Sequence, residues 1–67
     1  MNASFPTSNF VTEKQAATLL GVSLSTLQQR RFKGQMPRYL KIGKSVRYDL
    51  ADLMAFAESC RVTPPNP

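Results

Sequence analysis

Three short helices and one β-hairpin, in the order helix, helix, two-stranded wing, helix, are the fold this chain predicts: a mainly α domain with a small β component, a winged helix-turn-helix. Three observations carry that prediction. Capping residues (Thr12, Ser23 and Asp49) stand before three separate apolar-periodic segments. Gly21 and Gly34 stand where the first two segments must stop. Between the second and third segments, two runs of alternating apolar and polar residues flank a Gly43-Lys44-Ser45 turn. At 67 residues the chain holds one domain at most, and a core this small is marginal.

The elements follow in chain order. Residues 1–10 are polar, contain Pro6, and are expected to form a flexible tail. Thr12 with Gln15 makes a capping box, and Val11 can staple onto Ala16, so the first helix is expected over Glu13 to Leu20, with Gly21 as a left-handed C-cap. Ser23 caps the second helix one residue beyond Val22, which pairs with Leu27 as a second staple; this helix is expected from Leu24 to about Lys33. Two short helices joined by so tight a glycine turn form a helix-turn-helix.

The hairpin comes next. If Leu40, Ile42, Val46 and Tyr48 share one buried face, Ile42 must oppose Val46 and Leu40 must oppose Tyr48, because directly opposed residues lie on one face. That requires a three-residue loop and places Lys41 opposite Arg47 on the outer face. Asp49 then caps a third helix, Leu50 to about Cys60, with Leu50, Leu53, Ala57 and Cys60 as its buried stripe and Tyr48 with Leu53 as a staple. Asp49 and Asp52 are expected to act as cap and dipole partners, not as a catalytic carboxylate pair, and Cys60 as a small core residue. Residues 11–60 thus form the domain, and residues 61–67, with three prolines, an extended tail.

Composition narrows the chemistry. With one cysteine and no histidine, the chain cannot form an internal disulfide, offers no Cys/His zinc spacing and holds no histidine base. No apolar run approaches the roughly 20 residues of a membrane span, and the first residues lack the basic-then-apolar pattern of a secretory signal. No enzyme activity, metal or cofactor is expected.

The formal charge is +5, and it is concentrated. Arg30, Arg31, Lys33, Arg38, Lys41, Lys44 and Arg47 supply seven of the nine basic residues, with no acid between them. A one-sided positive surface on a small domain is the footprint of a polyanion binder. With Leu27 turned to the core, Ser25, Gln28, Gln29 and Phe32 form a stripe on the far side of the second helix. Glutamine can bond adenine N6 and N7 together in the major groove, and serine is a tolerant partner, so Ser25, Gln28 and Gln29 are the base-facing candidates. Thr26, Arg30, Arg31 and Lys33 lie off the stripe and suit phosphates. Phe32 suits a thymine methyl or a fold-back onto Met36. The opposed Lys41 and Arg47 of the hairpin suit a polyanion set against them. The alternatives are a protein-interaction module that docks through the basic hairpin or helix, and an RNA binder, for which stacking aromatics are few.

The run Thr12 to Leu27 resembles the helix-turn-helix of small MerR-like, excisionase and AlpA-type proteins. Ala17 stands four residues before Gly21, Val22-Ser23 and Thr26-Leu27 follow, Gly34 and Pro37 precede the wing, Ile42-Gly43 to Arg47-Tyr48 forms it, and Asp52-Leu53 lies in the last helix. The likeness spans residues 11–58. It implies a winged domain whose second helix enters the major groove of double-stranded DNA while the wing, with Lys41, Lys44, Ser45 and Arg47 as its candidate contacts, lies on adjacent backbone or minor groove. It also implies an excisionase-like or AlpA-type role, an integrase or RNA polymerase as candidate protein partner, and a place in the bacterial cytoplasm, associated with the nucleoid. One departure is Arg30, which stands where the family often has an aromatic packed between helix and wing. The long dimerisation helix of full-length MerR regulators is missing, so metal or drug sensing is not expected. The chain is expected to be monomeric in solution and to bind tandem or paired sites cooperatively.

Overall fold

The computed structural model describes residues 9–65. Strand β1 (Phe10–Thr12) leads directly into helix α1 (Glu13–Leu20), followed by α2 (Leu24–Phe32), β2 (Leu40–Ile42), β3 (Ser45–Asp49) and α3 (Leu50–Ser59). The expected loose segment lies outside the described residues except for Asn9 and Phe10, and Phe10 opens a strand.

The helix ends follow their local chemistry. The Gln15 amide donates to Thr12 Oγ1 at 3.1 Å and the Thr12 amide to Gln15 Oε1 at 2.9 Å, which completes the capping box. Gly21 adopts φ 71°, and the Gly21 and Val22 amides reach back to the carbonyls of Thr18 and Ala17. This is a Schellman motif, and it closes α1 within the tight turn. The same pattern recurs at Gly34, where the Gly34 and Gln35 amides bond the carbonyls of Arg31 and Arg30. Ser23 Oγ accepts from the Thr26 amide, and Asp49 Oδ1 accepts from the Ala51 amide.

The expected two-stranded wing is formed by β2 and β3, and β1 joins it on the other edge of β3 to give a three-stranded antiparallel sheet, ordered β1-β3-β2, in a winged helix-turn-helix. The hairpin register also differs. Leu40 opposes Arg47, Lys41 opposes Val46, and Ile42 opposes Ser45, around a two-residue Gly43-Lys44 turn. Gly43 takes φ 63° at the first turn position, the glycine position of a type II′ hairpin, whose twist matches that of the strands. The expected Lys41–Arg47 pair is therefore not formed: the two residues lie on opposite faces of the sheet. A one-residue slip exchanges faces along a strand, so Leu40 and Ile42 leave the face of Val46 and Tyr48, and Ile42 is exposed. Val11 of β1 stands opposite Tyr48 from the other edge of β3 and supplies the apolar partner on that face.

Ala16, Ala17, Leu27, Tyr48 and Leu53 form the core, with Val11, Leu20, Val46 and Leu50 packed against it. Burying Leu27 alone contributes roughly 1.5–3 kcal/mol. The third helix departs from its expected stripe in its last turn. Ala57 is exposed, and Cys60, expected in the core, is exposed as the C-cap residue beyond the packed turns.

Candidate nucleic-acid interface

Helix α2 is organised around Leu27, which is 1% exposed. At about 100° per residue, Arg31 falls about 40° to one side of it and Arg30 about 60° to the other. Both arginines therefore sit at the margins of the buried face. Ser25 and Gln29 lie about 160° away, Phe32 about 140°, and Gln28 about 100°.

Arg31 is drawn inward by Glu13, the first residue of α1. Arg31 Nε donates to Glu13 Oε2 at 2.7 Å and Nη2 to Oε1 at 3.2 Å, with both side chains largely buried. The Tyr48 hydroxyl donates to the same Oε2 at 2.9 Å, and the Gln28 side chain also hydrogen-bonds this carboxylate. Burial alone would push the Glu13 carboxyl up. The bonds from Arg31, Tyr48 and Gln28, with the Arg31 charge, outweigh it and hold the group below its ordinary range. Burial is also the first cause that raises the Tyr48 hydroxyl, followed by its bond to Glu13 and the Glu13 charge. The Arg31 guanidinium further lies 4.7 Å from the Phe32 ring centroid and 5.8 Å from that of Tyr39. One carboxylate thus joins α1, α2 and β3.

Arg30 has a different set of partners. Its Nε donates to the Met36 carbonyl, and its guanidinium stands 5.0 Å from the Phe56 ring centroid. It holds the loop after α2 against α3, at the position where the resemblance led to an aromatic. Thr26 belongs to the helix start, where its hydroxyl accepts from Ser23 at 2.8 Å. Of the residues assigned to phosphates from sequence, Arg30, Arg31 and Thr26 are thus engaged within the fold, and Lys33 is exposed. Of the base-facing candidates, Ser25 and Gln29 are exposed, while Gln28 is half-buried beside Glu13.

In the wing, Lys41, Lys44 and Ser45 are exposed. The register puts Lys41 on the sheet face of Val46 and Tyr48, the face that packs on the helices. Arg47 lies on the opposite face between Thr12 and Leu40, half-buried, with Nη1 donating to the Val46 carbonyl at 2.8 Å. Arg38, on the loop between α2 and β2, is exposed; it was counted in the basic cluster but not among the site candidates. Lys33, Arg38, Lys41 and Lys44 form no ion pair among the described residues. The same residues show no cluster suited to a metal ion and no helix long and apolar enough to cross a membrane.

The arrangement offers an uncharged hydrogen-bonding stripe, Ser25 and Gln29, on a helix supported from behind, with unpaired cations at its end and on the hairpin. A helix of this width fits the major groove of B-DNA, and such cations suit phosphates. A family model described as a helix-turn-helix domain matches residues 10–61. No curated protein matches the chain.

Proposed function

Because the chain belongs to this helix-turn-helix family, of the excisionase and AlpA-like kind, and is a helix-turn-helix DNA-binding protein, we propose that it recognises a specific double-stranded DNA sequence with α2 in the major groove and the β2–β3 wing on the neighbouring backbone or minor groove. The observation that carries this reading is the exposed, uncharged pair Ser25 and Gln29 on α2, together with exposed Lys33 at the helix end, Arg38 on the following loop and Lys41 and Lys44 on the hairpin, all four cations free of ion pairs among the described residues. Gln29 and Ser25 read bases. The four cations set register and affinity through phosphates, which carry no base information. Gln28, Arg30 and Arg31 shape and orient the helix from within.

The biological role proposed is that of an excisionase-like directionality factor or an AlpA-type transcriptional regulator. Both occupy a short site, and both gain affinity where several copies share tandem or paired sites, since effective concentration then replaces contact area. An integrase or RNA polymerase is the proposed protein partner, and no catalytic step is assigned to the chain.

The test is selection from a pool of duplexes with a randomised central segment, followed by titration on the selected duplex, a scrambled duplex and the corresponding RNA duplex. Preference for the selected DNA supports the reading. Equal binding to all three reduces it to charge attraction, and binding to none supports the protein-docking alternative. On the selected duplex, bending measured by energy transfer between end labels favours the excisionase role, and straight DNA favours promoter occupancy.

A further inference from the structure

Phe32 ends α2 on the same stripe as Ser25 and Gln29, and it is 73% exposed. The ring is free to meet a ligand, and it has one neighbour within the fold. The Arg31 guanidinium stands 4.7 Å from its ring centroid, and Arg31 is itself pinned by two hydrogen bonds to Glu13. Contact with a pinned guanidinium favours one placement of the ring, which lowers the cost of using it for recognition. On the floor of the major groove the hydrogen-bonding edges are donors and acceptors, and the apolar group is the C5-methyl of thymine.

We infer that Phe32 is a specificity-determining residue that reads a thymine methyl group next to the base pairs contacted by Ser25 and Gln29, with Arg31 as its positioning residue. This rests on the DNA-binding reading above and adds a base preference to it. The ring supplies apolar contact without a hydrogen bond, so it distinguishes thymine from uracil at one position, a discrimination that Ser25 and Gln29 have no means to make through the thymine O4 that both bases share.

The experiment uses the full chain and the duplex selected from the randomised pool, resynthesised with deoxyuridine in place of each thymine in turn. Base pairing is kept, and a single methyl group is removed each time. At one position wild type should lose about fourfold in affinity, the ratio that burying one methyl group implies. Phe32→Ala should bind the thymine and uracil duplexes equally at that position, with all other positions unchanged and its melting temperature equal to wild type. Titrations run at low salt, where phosphate contacts keep the variant measurable. A wild-type ratio of one at every thymine, a fourfold ratio that persists in Phe32→Ala, or a selected site without thymine would each overturn the inference while leaving DNA binding intact. Failure to select any duplex would instead overturn the DNA-binding reading and this inference with it.

Discussion

Arg31 meets Glu13 side-on, with Nε 2.7 Å from Oε2 and Nη2 3.2 Å from Oε1, and so a cation from the most basic stretch of the chain is spent on holding α2 to α1. The Tyr48 hydroxyl on the same carboxylate extends that hold to the central strand. Helix α2 is thereby tied to the central strand of the sheet.

Removing the cation should cost stability first and DNA affinity through it. Arg31→Ala strands a largely buried carboxylate, and breaking such a pair costs about 3 kcal/mol. That is a large share of the stability of a domain this size. Arg31→Lys keeps the charge but loses the two-pronged geometry, so it should fall between. Thermal melts of the three proteins check the order.

The carboxylate also sets an acid limit. Glu13 titrates below its ordinary value of 4.5 in the folded chain, so its contribution is complete above that value and is lost as pH falls through the lower folded one. Tyr48 is shifted the other way. Its folded pKa is raised, so its contribution is complete below its ordinary value of 10.0 and is lost as pH rises toward the higher folded one. Melting temperature against pH should therefore decline at both ends. Glu13→Gln should flatten the acid limb and Tyr48→Phe the alkaline limb, each from a lower plateau.

Two adjacent glutamines should behave differently. Gln29→Ala should reduce discrimination between the selected and scrambled duplexes by roughly 1–3 kcal/mol and leave the melt unchanged. Gln28→Ala should lower the melting temperature, since Gln28 hydrogen-bonds Glu13 inside the fold. Equal effects of the two substitutions on discrimination would show that Gln28 also faces the bases.

The wing cations should act without regard to sequence. Lys41→Glu and Lys44→Glu should weaken binding to selected and scrambled duplexes alike, as loss of phosphate contacts does. Neither should stabilise the free protein through Arg47, because Lys41 stands opposite Val46 and Arg47 opposite Leu40. Melts and titrations on the same samples separate the two effects.

The helices were legible because their ends are local chemistry. A Thr12-to-Gln15 capping box or a Gly21 C-cap depends on residues within one turn of each other, and both form as the spacing implies. The hairpin register was not legible in this way. Alternation says which residues share a face only once the turn length and the neighbouring strand are known. The three-residue β1, by setting Val11 opposite Tyr48, removed the need for Leu40 on that face. Arg30 and Arg31 were read as surface because they are charged. Their angular closeness to Leu27 was the signal that they belong to the fold, but their partners Glu13, Met36 and Phe56 lie on other segments. Ser25, Gln29 and Phe32 stand exposed, as the far side of the helix predicted, while Gln28 of the same stripe is half-buried.

The salt dependence of duplex binding counts the phosphates that the cationic side chains neutralise. Two of the seven clustered bases, Arg30 and Arg31, hold contacts within the fold and Arg47 is half-buried on β3, which leaves Lys33, Arg38, Lys41 and Lys44 as the exposed cations. Each neutralised phosphate contributes about −0.9 to the slope of log affinity against log salt concentration. Four contacts predict a slope of about −3.6, with Arg31→Met, where still folded, retaining the same slope and Lys41→Glu shifting it by about one toward zero. A slope near zero on every duplex would mean that these cations do not meet DNA phosphates.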